Sequence, residues 1–287
     1  MADFEFAAPV ELDEALRLLS GTPGSRPLAG GTDLIDQLNA GRRTTGLVVD
    51  LKRIPVLMRL DVDGDGLHIG GARSCTDVQQ HSAVRADYAG LAEACGLIGA
   101  VQIQNRAAVA GNVCNAAPSA DTIPALISLS AHAIIRSQNG TRDVPLDEFF
   151  IGPGQTVLND GEILEELVLP TPPDSSASAY LRFIPRNEMD IAVAGVGSYL
   201  EVDPNSKVIT RARIALASVA PTPVRAREAE SQLEGKVLSD EVIDEAAALA
   251  PNSASPISDV RGSAEFRLEL VKVLTARTLR KCAERIG

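Results

Sequence analysis

The sequence predicts an α+β protein with a small N-terminal lobe, a second lobe and a C-terminal domain, and three observations support this. Two runs of small residues, 27–34 and 107–121, contain glycine, and each leads into a helical pattern. The segment at 171–176, Thr-Pro-Pro-Asp-Ser-Ser, has the composition of a linker. Beyond it, three strand-like runs precede three helical patterns, the order expected of an α+β domain.

The first glycine-bearing run follows a short amphipathic helix whose leucines share one face. A strand at 26–29 leads into the Gly30-Gly31 turn, after which Thr32 or Asp33 is a good N-cap for a helix running to Ala40. Such a turn leaves free N–H groups directed at one place, which suits a pyrophosphate. Taken alone, the run is explained as well by an ordinary strand–turn–helix.

The second lobe begins with a hairpin whose turn is Asp63-Gly64-Asp65-Gly66, because Asp-Gly suits turns that require a positive φ. An EF-hand is excluded there, since the remaining ligand spacing and the flanking helices are missing. The elements expected next are helices at 74–80, 87–98 and 123–130 and strands at 132–137 and 163–169.

The third domain is expected to contain strands at 179–184, 193–202 and 207–219, followed by helices at 223–234, 239–250 and 263–285. The last helix is basic, which is typical of a solvated face and less often of a docking surface. The predicted domain limits are 1–55, 56–173 and 174–287.

Several function classes find no support in the composition. The net charge of −11 argues against a nucleic-acid partner, because phosphate would be repelled. No segment has the apolar length of a membrane span, and the first five residues lack the basic and apolar regions of a signal peptide, so we expect a cytoplasmic protein. The four cysteines form no CxxC pair, and GxSxG, HExxH and P-loop patterns are missing, so no metal ligand or catalytic residue is predicted.

Several ordered motifs resemble the FAD-binding medium subunit of molybdenum hydroxylases. This family includes aerobic carbon monoxide dehydrogenase, nicotinate and quinoline-type dehydrogenases and the flavin domain of xanthine dehydrogenase. The motifs lie at 29–34, 102–106, 111–112 with 117–121 and 124–126, 190–192, 221–226 and 259–267. The resemblance implies a vanillyl-alcohol-oxidase-like (PCMH-type) FAD-binding fold of two α/β lobes. It also implies a C-terminal domain with a three-stranded antiparallel sheet and a helical bundle.

The resemblance also implies the residues that bind FAD. Backbone amides of two segments would wrap the pyrophosphate: Leu28, Ala29, Gly30, Gly31, Thr32, Asp33 and Leu34, and Ala108, Val109, Ala110, Gly111 and Asn112. Side chains would add contacts from Asn112, Asn115, Asp121, Leu164, Arg182 and Ile191. Asp121 would accept from a ribitol or ribose hydroxyl, whereas Leu164 and Ile191 would contact the flavin ring.

Four of these residues have simpler interpretations without a cofactor. Asp33 and Asp121 would be helix N-caps, Asn112 part of a Gly-Asn turn and Ile191 a core residue. For Asp33 we favour the cap, and for Asp121 the motif around it favours the cofactor.

The sequence departs from the family pattern at three places. The second loop usually reads Thr-Ile-Gly-Gly-Asn, and Ala110 is tolerable there only with a negative φ. Arg182 stands where many relatives have a flavin-contacting lysine, and it offers a planar fork instead of a point charge. Met189 occupies a position that is acidic in the xanthine dehydrogenase branch, which argues against NAD as acceptor. The cysteine-rich insertion of the 4-hydroxybenzoyl-CoA reductase branch is missing, so no [4Fe–4S] cluster is expected.

The function implied is electron transfer through FAD. Molybdopterin in a large subunit and [2Fe–2S] clusters in a small subunit would be the partners' cofactors, in a heterotrimer that is commonly doubled. Two alternatives stay open: a stand-alone flavin oxidase and an interaction subunit that has lost its cofactor. The acceptor is also open among quinone, NAD, oxygen and a carrier protein.

Overall fold

The computed structural model describes residues 4–186 and 189–287. Residues 1–3, which carry part of the expectation about a signal peptide, and residues 187 and 188 lie outside the described part. The N-terminal lobe consists of β1 (Glu5–Ala7), α1 (Leu12–Gly21), β2 (Arg26–Leu28), α2 (Leu34–Asn39) and β3 (Leu47–Asp50).

The three strands of this lobe are parallel, in the order β1-β3-β2. The central strand β3 begins with three buried residues, Leu47, Val48 and Val49, as parallel sheets covered on both faces require. Leu28 pairs with Asp50, so β2 and β3 end at one edge, where the chain turns into Gly30-Gly31. The predicted strand–turn–helix is confirmed.

The second lobe is a five-stranded antiparallel sheet in the order β4-β5-β10-β6-β7, with six helices. Its strands are β4 (Leu60–Asp63), β5 (Gly66–Gly70), β6 (His132–Ser137), β7 (Gly140–Pro145) and β10 (Ile163–Leu169), and a small hairpin adds β8 (Phe150–Gly152) and β9 (Gln155–Thr156). The helices are α3 (Cys75–Gln80), α4 (Ser82–Asp87), α5 (Ala89–Gly96), α6 (Val101–Gln104), α7 (Val109–Asn115) and α8 (Thr122–Ser128). The predicted hairpin is confirmed at β4–β5.

The C-terminal domain has strands β11 (Ser176–Phe183), β12 (Ala194–Val202), β13 (Ile209–Ala217) and β14 (Val224–Arg225) and helices α9 (Arg227–Leu233), α10 (Asp240–Leu249) and α11 (Ala264–Ile286). The sheet is antiparallel with β11-β12-β13-β14 in that order, so the prediction of three strands was wrong by one. The fourth strand has two residues, too few to show a periodicity. Prolines at 221 and 223 favour extended backbone before it, which delays α9 relative to the predicted helix at 223–234.

Successive residues of β12 show how this sheet is covered. A Cβ placed on Gly197 would lie 2.4 Å from the carbonyl oxygen of Pro124 in α8. The next residue, Ser198, shares a 2.7 Å hydrogen bond with Thr278 of α11. Because side chains alternate between the faces of a strand, α8 covers one face and α11 the other. The second lobe and the C-terminal domain are thereby packed together.

Among the described residues, no helix combines the length and apolar character needed to cross a bilayer.

Candidate functional site

A cavity of about 800 Å³ lies where the two lobes and the C-terminal domain meet. Its walls include two segments that we name the first glycine loop (residues 28–34) and the second glycine loop (residues 108–112). Nearly all the predicted site residues line this cavity: Leu28, Ala29, Gly30, Gly31, Thr32, Asp33, Leu34, Ala108, Ala110, Gly111, Asn112, Asn115, Asp121, Leu164, Arg182 and Ile191. The exception is Val109, which is fully buried in the core of the second lobe.

The first glycine loop packs closely against residues 106 and 107, which directly precede the second glycine loop. A Cβ on Gly30 would lie 2.1 Å from the carbonyl oxygen of Arg106 and 2.7 Å from Cα of Ala107, so only glycine fits there. At Gly111 the nearest atoms to an added Cβ would be Cβ of Ala108 at 3.6 Å and Cβ of Ala29 at 3.9 Å. Gly30 is therefore required by the protein itself, whereas a Cβ on Gly111, which lines the cavity, would make only ordinary van der Waals contacts within the chain.

Lys52 anchors the first glycine loop to the sheet. Its Nζ donates to the carbonyl oxygen of Ala29 at 2.9 Å and to Asp50 at 2.5 Å. Within the loop, Gly31 has a φ of +80°, a conformation that favours glycine. This anchor and this turn fix the direction in which the loop amides point.

Asp33 occupies the N-cap position of α2, but its side chain makes no capping hydrogen bond. Burial, and then the negative charge of Asp36, raise the pKa of the Asp33 carboxyl. Asp33 therefore occupies the N-cap position as predicted, but its side chain does not cap the helix. Asp33 lines the cavity instead.

The second glycine loop runs into α7, the helix that begins at Val109. Ala110 lies inside this helix and has no positive φ, so the methyl group that replaces the family's glycine is tolerated. The amide oxygen of Asn112 accepts from the hydroxyl of Thr122 at 2.6 Å, and that of Asn115 accepts from Gln37 of α2 at 3.3 Å. The second contact joins the helices that follow the two loops.

Asp121 forms a buried network with the C-terminal domain. Its carboxylate accepts from the hydroxyl of Tyr180 at 2.7 Å and from Nη1 of Arg182 at 2.5 Å. Although Asp121 is at the N-cap position of α8, it makes no capping bond. Burial raises the pKa of Asp121 to about 6, against the opposing effects of Arg182 and Tyr180. Burial and the neighbouring carboxylate raise the pKa of Tyr180 well above 10.

Arg182 forms an ion pair with Asp121 and also lines the cavity. Its side chain is 7% exposed, and its Nε is buried without a hydrogen-bond acceptor among the described residues. A buried guanidinium with one unsatisfied N–H is destabilising unless an acceptor arrives from outside the chain.

The remaining predicted residues lie apart from the loops in sequence but on the same cavity. Leu164 is buried, and its carbonyl oxygen would lie 2.3 Å from a Cβ on Gly71. Ile191 is 48% exposed, so the interpretation of Ile191 as a core residue is wrong. Met189, which also lines the cavity, has a φ of +52° and is more than half exposed.

Sequence reasoning missed two cations in the cavity wall, Arg26 and Arg43. A signal existed for Arg26, since it lies two residues before Leu28 on a strand and therefore on the same face. Arg43 follows α2 in a segment without periodicity, and nothing in the sequence marks it.

Comparison with known proteins gives the family. A family model described as the FAD binding domain in molybdopterin dehydrogenase matches residues 2–172, and one described as the CO dehydrogenase flavoprotein C-terminal domain matches 179–282. The chain belongs to the FAD-binding medium subunits of the molybdenum hydroxylases. It is an oxidoreductase subunit, and the predicted family and its cofactor FAD are confirmed.

Relatives match this medium subunit along nearly its whole length. The glyceraldehyde dehydrogenase medium chain of Sulfolobus acidocaldarius is 31% identical and covers 98% of this chain and 99% of its own. The carbon monoxide dehydrogenase medium chain of Hydrogenophaga pseudoflava is 32% identical, with 96% of each chain covered. The xanthine dehydrogenase FAD-binding subunit of Escherichia coli O157:H7 is 30% identical, with 99% and 98% covered.

Solved structures agree with the sequence relatives. Carbon monoxide dehydrogenase from Hydrogenophaga pseudoflava, in a form lacking the Mo-pyranopterin moiety, matches with a TM-score of 0.94 at 30% identity over 99% of both chains. Quinoline 2-oxidoreductase from Pseudomonas putida 86 matches with a TM-score of 0.90 at 27% identity over 98% and 97%. The medium subunit therefore has the mixed α/β FAD-binding domain of this family followed by a C-terminal domain with a sheet.

The residues present fit FAD. The cavity volume is within the range of cofactor sites, about 300–1,000 Å³. The side-chain-free backbone of Gly111 at the cavity wall and the unsatisfied Nε atoms of Arg26 and Arg182 are features that a large polar ligand would use.

Proposed function

We propose that this medium subunit binds FAD in the described cavity and passes electrons from [2Fe–2S] clusters of a small subunit to an external acceptor. Substrate would be hydroxylated at molybdenum in a large subunit. The observation that carries the proposal is one cavity lined by both glycine loops and by the Asp121–Arg182 pair. When bound, FAD supplies the redox chemistry, while the protein supplies binding, orientation and electrostatics.

The chain's own residues have distinct roles in this proposal. Amides of the two glycine loops would hold the pyrophosphate, because backbone N–H groups at tight turns and helix starts attract anions. The amides of Val109 and Asn112 are excepted, since they donate to the carbonyl oxygens of Arg73 and Ala108 at 3.3 and 2.9 Å. Lys52 keeps the first loop in place through its bond to Ala29. Arg182, fixed by Asp121, would direct its free Nε to an acceptor on the cofactor.

The composition of the cavity wall supports electron transfer over direct substrate chemistry. No histidine is among the lining residues that the structure describes, and the one cysteine, Cys114, has its pKa raised to about 12 by burial. Carboxylates do line the cavity, but the most buried of them, Asp121, already accepts hydrogen bonds from Tyr180 and Arg182 and is not free to take a proton from a substrate, which disfavours a stand-alone oxidase.

Several finer statements belong to the same proposal. The two lobes would form a vanillyl-alcohol-oxidase-like (PCMH-type) fold, with domain limits at 1–55, 56–173 and 174–287. The assembly would be a doubled heterotrimer with large and small subunits in the cytoplasm. Met189 at the cavity mouth supports an acceptor other than NAD.

The first experiment measures flavin in the purified chain. We expect flavin absorption bands, or their appearance when FAD is titrated into flavin-free protein. A chain that neither carries nor binds FAD would support the cofactor-free alternative. Steady turnover by the isolated, flavin-loaded chain with a donor substrate would support the stand-alone oxidase.

The second experiment tests the partners. Co-expression with the neighbouring reading frames and purification through a tag on this chain should recover a molybdopterin-containing and an iron–sulfur-containing chain. Reduction of the FAD by substrate in that complex, and its failure in the isolated chain, is the expected result.

A further inference from the structure

Arg26 and Arg43 converge on the cavity from two elements of the N-terminal lobe. Arg26 begins β2, and Arg43 lies in the connection between α2 and β3. Both are half-buried, and both line the cavity. Within the described part of the chain, neither guanidinium lies within 4.0 Å of a carboxylate.

Among the described arginines that are not exposed, every other one forms an ion pair, so the absence of partners at Arg26 and Arg43 is unusual. Its 38 acidic residues outnumber its 27 basic ones, and other arginines of the cavity region are paired: Arg182 with Asp121, Arg186 with Asp190 and Arg142 with Glu162. A net charge of −11 offers ample carboxylates, yet the folded chain leaves these two cations uncompensated.

The two arginines also repel each other. Burial, and then the charge of Arg26, lower the pKa of the Arg43 guanidinium. Nε of Arg26 is buried and has no hydrogen-bond acceptor among the described residues. Two like charges beside an unsatisfied donor are unfavourable, and an anion bound between the two guanidinium groups would relieve both the repulsion and the lack of an acceptor.

We propose that Arg26 and Arg43 form an anion site for the phosphate-bearing adenylate half of the dinucleotide, so that the cavity selects FAD over FMN. This inference rests on the proposed function. The argument for the adenylate half is position: Arg26 and Arg43 belong to the N-terminal lobe, whereas the proposed flavin-ring contacts Arg182 and Ile191 come from the C-terminal domain. Arginine suits the task, since its planar fork matches phosphate oxygens.

The test compares flavin-free wild-type chain with the variant Arg26→Gln/Arg43→Gln. Dissociation constants for FAD, FMN and ADP are measured by calorimetry at two salt concentrations. The FAD constant of the variant should rise at least about 10-fold for each arginine, since a hydrogen bond to a charged group is worth about that factor. ADP binding should be lost, the FMN constant should change little, and the salt dependence of FAD binding should weaken.

Two further variants control the experiment. Arg42→Gln removes a neighbouring arginine that pairs with Asp36 on the surface, where their side chains are 64% and 69% exposed, and should leave FAD binding unchanged. Arg26→Lys/Arg43→Lys keeps both charges and should recover part of the affinity, which separates loss of charge from loss of folding.

Three results would overturn the inference. An unchanged FAD constant in the double glutamine variant means that the pair does not contact the cofactor. Equal weakening of FAD and FMN means that the pair does not select the adenylate half. Wild-type protein that binds no FAD removes the proposed function itself and this inference with it, whereas the first two results leave the proposed function standing.

Discussion

Replacing Arg182 by methionine should destabilise the flavin-free protein in a way that depends on pH. The substitution keeps most of the side-chain volume but leaves Asp121 buried with Tyr180 as its remaining partner. Removing one member of a buried ion pair typically lowers the free energy of unfolding by about 3–5 kcal/mol. We expect a loss of this size at pH 8, where the carboxyl of Asp121 is ionised.

The direction of the pH effect follows from the pKa of Asp121. Burial holds this pKa at about 6 in the folded state, above the ordinary value of 3.8. The folded state therefore holds its proton more tightly, and stability from this group is lost as pH rises from about 4 to about 6. Without Arg182 the pKa rises further, so this loss becomes larger, by about 1.4 kcal/mol for each additional pKa unit.

The destabilisation by Arg182→Met should accordingly be smaller at pH 5 than at pH 8. Urea unfolding of wild type and variant at both values measures it, without added FAD because a bound ligand adds its own stability. The double variant Arg182→Met/Asp121→Asn should recover part of the loss at pH 8, since the buried charge is gone. Arg280→Met, which removes two surface ion pairs with Asp240 and Asp244, should cost less than about 1 kcal/mol. A destabilisation by Arg182→Met that is equal at both pH values would refute the reasoning.

Three further substitutions test the two glycine loops. Gly111→Val should leave the fold intact but abolish FAD retention, because the valine side chain would project into the cavity. Gly21→Val, where an added Cβ has no neighbour within 4 Å, is the control. A Gly111→Val protein that keeps its full flavin absorption would contradict the loop assignment. Gly30→Ala should lower the free energy of unfolding by about 1–3 kcal/mol in urea titrations, since its Cβ would lie 2.1 Å from the carbonyl oxygen of Arg106. Unchanged stability would contradict the close contact between Gly30 and this backbone. Lys52→Met should weaken FAD binding about 10-fold in calorimetric titrations, because a charged hydrogen bond that holds the first glycine loop is lost. An unaltered dissociation constant for FAD would show that this hydrogen bond does not position the loop for the cofactor.

The glycine loops could be predicted because their signals are local. A Cβ is excluded at Gly30, the φ of Gly31 is positive, and Gly111 lines the cavity. Such positions favour glycine, so they form sequence motifs that a family resemblance can detect. The strands and helices of the C-terminal domain also followed from periodicity, apart from the two-residue strand at Val224–Arg225. The structure placed these local features together in one cavity.

The electrostatics of the site could not be predicted, since they depend on residues far apart in the chain. Asp121 has the local pattern of a helix cap, yet its carboxylate accepts hydrogen bonds from Tyr180 and Arg182, which follow it by 59 and 61 positions in the chain. Arg26 and Arg43 likewise reach the same cavity from a strand and from the segment after α2, a proximity that no local pattern predicts. Helix-capping preferences are weak, about 1 kcal/mol, so a buried cation easily displaces them.

The hydrogen bonds between Asp121 and the strand β11 limit how chimeras of two relatives can be joined. Separate family models match residues 2–172 and 179–282, so the connection at 173–178 is the obvious place to join two relatives in a chimera. A chimera joined there would inherit Asp121 from one parent and the residues at 180 and 182 from the other. Where the second parent supplies no matching donors, the hybrid would bury a lone carboxylate, so a stable chimera requires that Tyr180 and Arg182 accompany Asp121.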